Sequence, residues 1–428
     1  MRIIVDKPER IKGSVEAPPS LFLSLYGIAL IGLLGGEVEG VDVAATPIRL
    51  FVSALRRIGL DVEAYGDRVV VGSSPPAEVP RRILLDIGCS GLLAYTLPLV
   101  AWARARPGTT IVLRSHCPWL TSINVHGLVS ALSALGARIW PGESASRLIV
   151  IEAHGKPLRP TATMITLPAG SNGLIASTLL LALAASRGGV LRYQPGLKLH
   201  SRLMATARLV EEAGIHVTVR EGLVEVKGLG GAEARVKTPR GFMEAGLILA
   251  AAGVEGEVVV RGLPRELAGE EDIVEFLHAA GLEVEQGRGI IKAVGSEPRS
   301  LIANLSNYPH LSIPLIAYSL ASRASFTLTG LAALSEEGID LGRHGRLLSA
   351  SGMEADYEDG RLSIKGVREP RTRIDCSQQP QELCTAILVG LAASASRRIV
   401  LEDIDPNAIS SRILENLQLL GARVREKT

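Results

Sequence analysis

SALRRIGLDV, residues 53–62, is the first of six closely similar stretches that decide how this chain folds. In each copy an amphipathic segment ends at a glycine, and a short alternating segment follows. The copies are SALRRIGLDV (53–62), SALSALGARI (130–139), ARLVEEAGIHV (207–217), VEFLHAAGLEV (274–284), GRLLSASGMEA (345–355) and ENLQLLGARV (415–424). Their glycines are separated by 77, 78, 67, 71 and 69 residues. Such a long period indicates a complete supersecondary unit that is used six times.

The amphipathic segment before each glycine predicts a helix. In Val52–Ile58, apolar residues recur at spacings of three and four with arginines between them. A glycine at the next position can adopt the left-handed conformation that ends a helix. The segments that follow, such as Asp61–Ala64 and Val69–Val71, alternate or are apolar and predict a hairpin.

A second and far more apolar helix is predicted in the first half of each repeat. These segments carry almost no charge, so we expect them to be buried on most sides. They are Leu21–Leu34, Leu92–Ala103, Leu174–Ala185, Phe242–Ala252, Leu311–Ser322 and Leu383–Ser394. A short β-branched run such as Thr110–Leu113 follows each one. The unit is therefore β-α-β-α-β-β, an α/β (α+β) arrangement. One unit cannot bury its apolar face alone, so six units predict two domains of three, with the glycine-rich Gly222–Gly231 as the linker.

Composition excludes several classes of partner. The chain has 428 residues, 47% hydrophobic, with a net charge of +2, which gives no electrostatic basis for binding nucleic acid or a membrane surface. The uncharged stretches Ile87–Ala103 and Leu167–Ser186 occupy the repeat position of a core helix, so we expect no membrane span. The four cysteines show no CxxC pair and predict reduced thiols in the cytoplasm. No cofactor is expected.

Two short motifs add to the repeat. KGSVEAPPS (12–20) and DIGCSG (86–91) resemble the opening strand with its PPS turn and the D-x-G-N-S-G turn of 5-enolpyruvylshikimate-3-phosphate synthase. Together with the six repeats, they make the whole chain resemble the enolpyruvyl transferases. The resemblance implies a two-domain inside-out α/β barrel with helices inside and a small-molecule ligand in the interdomain cleft. It also implies an inserted domain, 15–229, and a discontinuous domain, 1–14 with 230–428.

Many positions where this resemblance implies a charged functional side chain hold another residue. The family's cationic positions carry Leu21, Tyr26, Tyr95, Ile123, Glu336, Asp340, Gln381 and Ala408. Its catalytic aspartate is replaced by His310, and a serine that grips phosphate is replaced by Asn172. The retained positions are Gly88, Ser90, Gly91, Ser177, Ser201 and Glu337.

The reaction implied by the resemblance joins two anions with phosphate and carboxylate groups, which need matching cations. We therefore expect a family member that has lost the standard reaction and has a binding or regulatory role, with a protein partner as one option. The alternatives are a divergent but active 3-phosphoshikimate 1-carboxyvinyltransferase, or a transferase for a less charged substrate. A relative of RNA 3'-phosphate cyclase would have fewer repeats and a C-terminal catalytic histidine, whereas no histidine follows His344.

Each candidate site residue has a functional and a structural interpretation. His310 is either an acid or base near neutral pH or an ordinary residue at a helix start. Glu336 and Glu337 with Asp340 either bind a cation or a basic ligand or form a solvated helix start.

The remaining candidates are a cysteine loop and an aromatic set. Cys117 is either a reactive thiol or an inert, partly buried cysteine. The spacing of His116, Cys117 and His126 is not typical of a metal site, so no metal is assigned. The aromatic and aliphatic residues of this set either fill the substrate pocket that the resemblance implies or line a site for a less charged ligand. Its members are Tyr26, Leu92, Tyr95 and Leu174.

Overall fold

The computed structural model describes residues 1–73, 78–144, 146–153, 164–168, 170–194, 200–228, 233–366 and 369–427. Its strands are β1 (Arg2–Val5), β2 (Lys12–Glu16), β3 (Gly36–Glu39), β4 (Val62–Tyr65), β5 (Arg68–Val71), β6 (Arg82–Asp86), β7 (Thr110–Arg114), β8 (Arg138–Ser144), β9 (Arg147–Glu152), β10 (Met164–Thr166), β11 (Gly189–Arg192), β12 (His216–Arg220), β13 (Leu223–Lys227), β14 (Ala234–Lys237), β15 (Glu257–Arg261), β16 (Glu283–Gly287), β17 (Ile290–Val294), β18 (Leu301–Asn304), β19 (Ser325–Thr329), β20 (Met353–Glu358), β21 (Arg361–Gly366), β22 (Arg373–Asp375), β23 (Ile399–Glu402) and β24 (Val424–Lys427).

Apolar helices are interspersed with amphipathic ones along the chain. They are α1 (Leu21–Leu34), α2 (Thr46–Arg57), α3 (Gly91–Arg104), α4 (Val125–Ala134), α5 (Gly173–Ala184), α6 (His200–Glu212), α7 (Phe242–Ala250), α8 (Asp272–Ala279), α9 (Ser312–Ser322), α10 (Ala332–Glu336), α11 (Gly345–Ala350), α12 (Gln381–Ser394) and α13 (Arg412–Leu419). Short 3₁₀ turns cover Pro118–Ser122 and Pro309–Leu311. The six apolar helices lie where the sequence predicts them, within two residues at either end in every case.

The described strands form six four-stranded sheets of one common pattern. An edge strand pairs in parallel with a second strand, and the remaining pairs are antiparallel; in one sheet Ile83 of β6 lies opposite Ile111 of β7, which lies opposite Ile151 of β9. The orders are β14-β3-β5-β4, β6-β7-β9-β8, β10-β11-β13-β12, β16-β17-β15-β2, β18-β19-β21-β20 and β22-β23-β1-β24. This repetition confirms the predicted fold class, six β-α-β-α-β-β units of an inside-out α/β fold.

The chain divides into two compact units, each with three of these sheets. Unit 1 comprises Met1–Ser20, Ala44–Thr46 and Pro239–Thr428, and unit 2 comprises Leu21–Val43 and Pro47–Thr238. Two strand pairings agree with these limits: β2 pairs with β15 in unit 1, and β14 pairs with β3 in unit 2. The sequence prediction instead placed the transitions after residues 14 and 229, which would cut β2 and assign β14 to the other unit.

Apolar helices form the core of each unit. In unit 2, α1, α3 and α5 pack against one another, and every residue from Leu21 to Leu33 is buried. In unit 1, α7, α9 and α12 pack together in the same way. These helices can be buried on most sides because they carry almost no charge, and burial of their aliphatic side chains is the main favourable term for each unit.

The six repeat glycines all adopt a left-handed conformation, with φ of 97°, 90°, 81°, 116°, 98° and 90° for Gly59, Gly136, Gly214, Gly281, Gly352 and Gly421. Each therefore ends its helix as predicted. Their surroundings differ: a Cβ at Gly136 would meet open space, whereas one at Gly281 would lie 2.6 Å from the backbone oxygen of Glu297.

The predicted linker is wrong for most of its described length. Leu223–Lys227 forms β13, which pairs with both β11 and β12; Gly228 follows it, and 229–231 lie outside the described residues. The valines of this segment alternate with other residues, as in a strand, but the glycines on either side led to the prediction of a linker. Within the described part of the chain, every helix is too short or too polar to cross a bilayer.

Candidate functional site

The turn Asp86–Gly91 joins β6 to α3 in unit 2. The Gly88 N–H donates a hydrogen bond to Asp86 Oδ1 at 2.9 Å, and Gly88 has a φ of +57°, which favours glycine. Ser90 caps α3, since its Oγ accepts from the Leu93 N–H at 3.4 Å. The three retained residues Gly88, Ser90 and Gly91 thus build a tight turn that leads into a helix N-terminus, where backbone N–H groups favour anions.

A second loop is fastened to this turn. Ser115 Oγ donates to the Gly88 carbonyl oxygen at 2.5 Å and accepts from the Cys117 N–H at 2.9 Å. Cys89 and Cys117 form a disulfide with their Cα atoms 5.4 Å apart, so the prediction of reduced, unpaired thiols is wrong for this pair. Parallel pairing of β6 with β7 brings the two loops side by side, a proximity that a separation of 28 residues does not reveal.

His116 lies beside this disulfide. Its Nε2 is 3.3 Å from Cys89 Sγ, and the ligand atoms of Cys89, His116 and Cys117 all lie within 4.8 Å of one another. No metal was predicted, because His116, Cys117 and His126 do not have a spacing typical of a metal site. Cys89, which lies in the turn after β6, also belongs to this group and was not predicted.

Two tyrosines occupy cationic positions of the resemblance in unit 2. Tyr26 on α1 and Tyr95 on α3 are both 0% exposed. The Tyr26 hydroxyl donates to the Leu174 carbonyl oxygen at 3.0 Å. The Tyr95 hydroxyl accepts from the Asn124 N–H and from Asn172 Nδ2, each at 3.1 Å. Buried hydroxyl groups need such partners, and these contacts tie α1, α3 and α5 together where α5 begins.

Asn172 forms the N-cap of α5. Its Oδ1 accepts from the Ile175 N–H at 3.0 Å while its Nδ2 donates to Tyr95. Thr178 Oγ1 donates to both the Tyr95 and the Leu174 carbonyl oxygens, at 3.2 and 2.9 Å. The group at the phosphate-gripping position of the resemblance therefore serves as a helix cap inside a buried hydrogen-bond network.

The other aligned positions of unit 2 are also buried. Leu21 opens α1 and Ser201 lies in the first turn of α6, and both are buried. Ser177 Oγ on α5 is buried with no hydrogen-bond partner among the described residues. The guanidinium carbon of Arg202 lies 4.3 Å from the centroid of the Phe22 ring, a cation–π distance. Arg202 is only 9% exposed. Arg202 was not among the predicted site residues. Its position next to the retained Ser201 was the one sequence signal that could have identified it.

His310 in unit 1 lies in the 3₁₀ turn directly before α9 and is buried. Its Nε2 is 3.1 Å from Oε1 of Glu270, which is also buried. Its Nδ1 has no hydrogen-bond partner among the described residues. The pairing with Glu270, 40 positions earlier in the sequence, was not foreseen. The contact gives one polar atom of each buried side chain a partner.

The acidic group of unit 1 follows a helix rather than starting one. Glu336 is the last residue of α10 and Glu337 is its C-cap, so the predicted helix start is wrong. The short α10 ends because Gly338 adopts a φ of +94°. Asp340 lies beyond it in an ion pair with Arg343 at 3.0 Å.

Glu382 joins this acidic group. Its pKa is raised to about 7, chiefly by burial and additionally by the carboxylates of Asp405 and Glu337. Glu382 could not be predicted as a site residue, because α12 has the pattern of a core helix with one acid in its first turn.

Gln381, at the start of α12, occupies a cationic position of the resemblance. Its Nε2 donates to the Cys376 carbonyl oxygen at 2.9 Å, and its Oε1 accepts from the Asp405 N–H at 2.7 Å. Gln379 nearby places its Oε1 2.7 Å from Nδ1 of His344. Burial lowers the pKa of His344 and outweighs the contact with Gln379. Gln381 thus fixes a turn through backbone contacts.

Comparison with known proteins agrees with this architecture. The family model described as EPSP synthase (3-phosphoshikimate 1-carboxyvinyltransferase) matches residues 5–344. A UDP-N-acetylglucosamine 1-carboxyvinyltransferase from Anaeromyxobacter dehalogenans is 28% identical over an alignment of 439 residues that covers 99% of both chains. A 3-phosphoshikimate 1-carboxyvinyltransferase from Methanothrix thermoacetophila is 24% identical over 432 residues, with 98% of both chains covered.

Solved structures share the fold at lower identity. An EPSP synthase from Acinetobacter baumannii superimposes with a TM-score of 0.68 at 16% identity and covers all of both chains. The enolpyruvyl transferase NikO from Streptomyces tendae gives a TM-score of 0.69 at 14% identity over 99% of this chain and 98% of the other. With the family model matched across both units, these findings lead to one conclusion: the chain belongs to the EPSP synthase family of enolpyruvyl transferases.

Proposed function

We propose that this family member has lost the standard enolpyruvyl transfer and serves as a binding or regulatory protein for a ligand less charged than the family's substrates. The observation that carries the proposal is the burial of Tyr26 and Tyr95. Both hydroxyl groups are engaged by α5 or its flanking residues, and neither ring is exposed. Side chains in such positions support the packing of helices and leave no group free to meet a phosphate.

Unit 1 supports the same proposal through charge. Glu337 and Asp405 raise the pKa of Glu382, beyond the effect of burial alone. Burial is the main cause of this shift, and the two neighbouring carboxylates add a negative potential of their own. An anionic substrate placed near these groups would be repelled, whereas a neutral or basic ligand would not.

The magnitude of the loss is large enough to matter. A hydrogen bond to a charged group contributes about 1.5–3 kcal/mol. The loss of only two such contacts weakens binding by about two orders of magnitude or more, since about 1.4 kcal/mol corresponds to a factor of ten. Eight cationic positions of the resemblance carry other residues here.

A second candidate function, a divergent and active transferase, is favoured by Arg202. This buried cation stands next to the retained Ser201, and an arginine can bind phosphate or carboxylate with two parallel hydrogen bonds. The retained Glu337 would then remain available for proton transfer. On this candidate, Arg202 replaces some of the missing cations from a different position.

The two candidates are separated by phosphate release from phosphoenolpyruvate. The purified protein is incubated with phosphoenolpyruvate and either shikimate 3-phosphate or UDP-N-acetylglucosamine, beside an active EPSP synthase as positive control. We expect no release above that of phosphoenolpyruvate alone. Turnover that the R202A variant abolishes, and that the exposed-site variant R220A retains, would establish the transferase instead.

A further inference from the structure

We infer that Cys89 and Cys117 form a redox-active disulfide in which Cys89 is the sulfur that exchanges with small thiols and disulfides. The inference is independent of the proposed function, because it rests on the geometry of two loops in unit 2. The sulfur atoms are already bonded, and the Cα separation of 5.4 Å lies within the range that a disulfide requires.

The two sulfurs differ in access. Cys89 is half-buried in the turn after β6, whereas Cys117 is 1% exposed. An external thiol or disulfide can therefore reach Cys89 but not Cys117. The remaining cysteines, Cys376 and Cys384, are buried in unit 1, where burial raises the pKa of the Cys384 thiol well above its usual value. They should be inert and serve as internal controls.

His116 distinguishes Cys89 further. It is exposed, and its Nε2 lies 3.3 Å from Cys89 Sγ. An imidazole at this distance can accept the thiol proton or stabilise the thiolate, which is the reactive form of cysteine.

The polypeptide would hold the two thiols together after reduction. Ser115 Oγ bridges the Gly88 carbonyl oxygen and the Cys117 N–H, and neither hydrogen bond involves sulfur. The pairing of β6 with β7 in register also persists without the disulfide. Because the loops stay side by side, ring closure is intramolecular and should outcompete a second external thiol.

The exchange balances as two displacements. Cys89 thiolate attacks one sulfur of an external disulfide, the external sulfur–sulfur bond breaks, and one thiolate leaves. Cys117, after losing its proton to solvent, attacks the Cys89 sulfur of the mixed disulfide, and the second external thiolate leaves. In total the two protein thiols lose two electrons and two protons, and the external disulfide becomes two thiols.

The test is mass mapping of the native protein. Protein reduced with a dithiol and freed of it is treated with glutathione disulfide, quenched in acid, alkylated and digested without reduction. We expect wild-type protein to yield the Cys89–Cys117 linked peptide, with Cys376 and Cys384 alkylated and free of glutathione. The C117S variant should accumulate a glutathione adduct on Cys89, because no second cysteine resolves it, and C89S should form no adduct on Cys117.

A wild-type measurement guards against variants that fail to fold. Limiting maleimide added to reduced wild-type protein should label Cys89 at least about tenfold faster than Cys117, as expected for an accessible and activated thiol. Oxidation should also raise the midpoint of thermal unfolding by about 5 °C.

Three results would overturn the inference. One is resistance of the bond to millimolar dithiol in the native state, and another is a glutathione adduct that persists on wild-type Cys89. The third is about one zinc ion per chain in protein purified without chelator, lost in both serine variants, with no linked peptide found. That result would assign Cys89, His116 and Cys117 to a metal site.

Discussion

Unit 1 and unit 2 are built from the same repeat. They differ in the residues that they carry at the positions where the resemblance implies a cation. Unit 2 holds neutral groups there, with Tyr26 and Tyr95 buried and hydrogen-bonded across three core helices. Unit 1 holds two carboxylates there, Glu336 and Asp340, besides the neutral Gln381 and Ala408, and the nearby Glu382 has a pKa raised to about 7. On the proposed function, unit 2 has no charge at these positions, and unit 1 has the opposite charge at two of them.

The difference teaches that a fold of this kind does not depend on its functional groups. Each unit is stabilised by aliphatic helices packed against one another and by sheets in the same register. Replacing a charged residue by a hydrogen-bonded tyrosine adds to the packing, whereas replacing it by a carboxylate creates repulsion that protonation must relieve. Unit 2 should therefore resist restoration of the cations, and unit 1 should respond to pH.

The largest effect is expected from restoring a cation in unit 2. Y95R would bury a guanidinium among apolar helices, and should cost about 3–5 kcal/mol of the free energy of unfolding. Urea unfolding measures it, with Y65R as the matched control, because Tyr65 is 52% exposed and should tolerate arginine. A Y95R protein of unchanged stability that gains affinity for phosphoenolpyruvate would show that the position faces a ligand site.

The second effect compares repeat glycines of the two units. G281A should cost about 2–3 kcal/mol, because its Cβ would meet the backbone oxygen of Glu297 at 2.6 Å in addition to the left-handed strain. G136A has open space around the new Cβ and should cost about 1 kcal/mol. Thermal unfolding of both variants checks the order, and equal losses would contradict it.

The third effect lies within the tyrosine network. Y95F removes the acceptor of two buried donors, Asn124 N–H and Asn172 Nδ2, and should cost about 2 kcal/mol. Y26F should cost about 1 kcal/mol, because the Leu174 carbonyl oxygen still accepts from Thr178 Oγ1 at 2.9 Å. Chemical denaturation measures both losses of unfolding free energy. A larger loss for Y26F than for Y95F would show that the hydroxyl contacts are not what stabilises this region.

The smallest effect should appear in unit 1 and only at higher pH. The pKa of Glu382 is about 7 in the folded chain and about 4.3 when unfolded. Between these values the folded state binds a proton that the unfolded state has lost, so stability falls as pH rises. E382Q should match wild type near pH 4 and be more stable by about 1 kcal/mol at pH 8, a fraction of the full pKa difference, because Glu382 is partly exposed and solvent screens its charge.

A control of opposite sign is available for this comparison. Ion pairing with Lys12 and Lys292 lowers the pKa of Glu257, so its contribution is present at pH 8 and is lost as pH falls. E257Q should therefore lower stability at pH 8 and leave it unchanged at low pH. An E382Q variant that is less stable than wild type at pH 8 would contradict the proposed repulsion.

The repeat pattern predicted the fold well because apolar periodicity and helix-ending glycines are local signals. Leu21–Leu34 was placed to the residue, and all six glycines adopt the expected conformation. The same approach misread Leu223–Lys227 as a linker, because strand pairing with β11 is a long-range contact that outweighs the flanking glycines.

The candidate site was less predictable, since its geometry depends on contacts between distant residues. Composition suggested reduced cysteines, but alignment of β6 with β7 joins Cys89 to Cys117. The partner of His310, Glu270, and the neighbours of Glu382 come from other elements. Arg202 shows the same limit, because only the packing of α6 on α1 places it over Phe22.

The central claim, loss of the anion site, is tested most directly by isothermal titration calorimetry of the purified protein with shikimate 3-phosphate, followed by phosphoenolpyruvate. The account predicts no measurable heat and no thermal stabilisation at millimolar ligand. Micromolar binding followed by phosphate release would contradict it, and would mean that cations such as Arg202 supply the site from positions other than those of the resemblance.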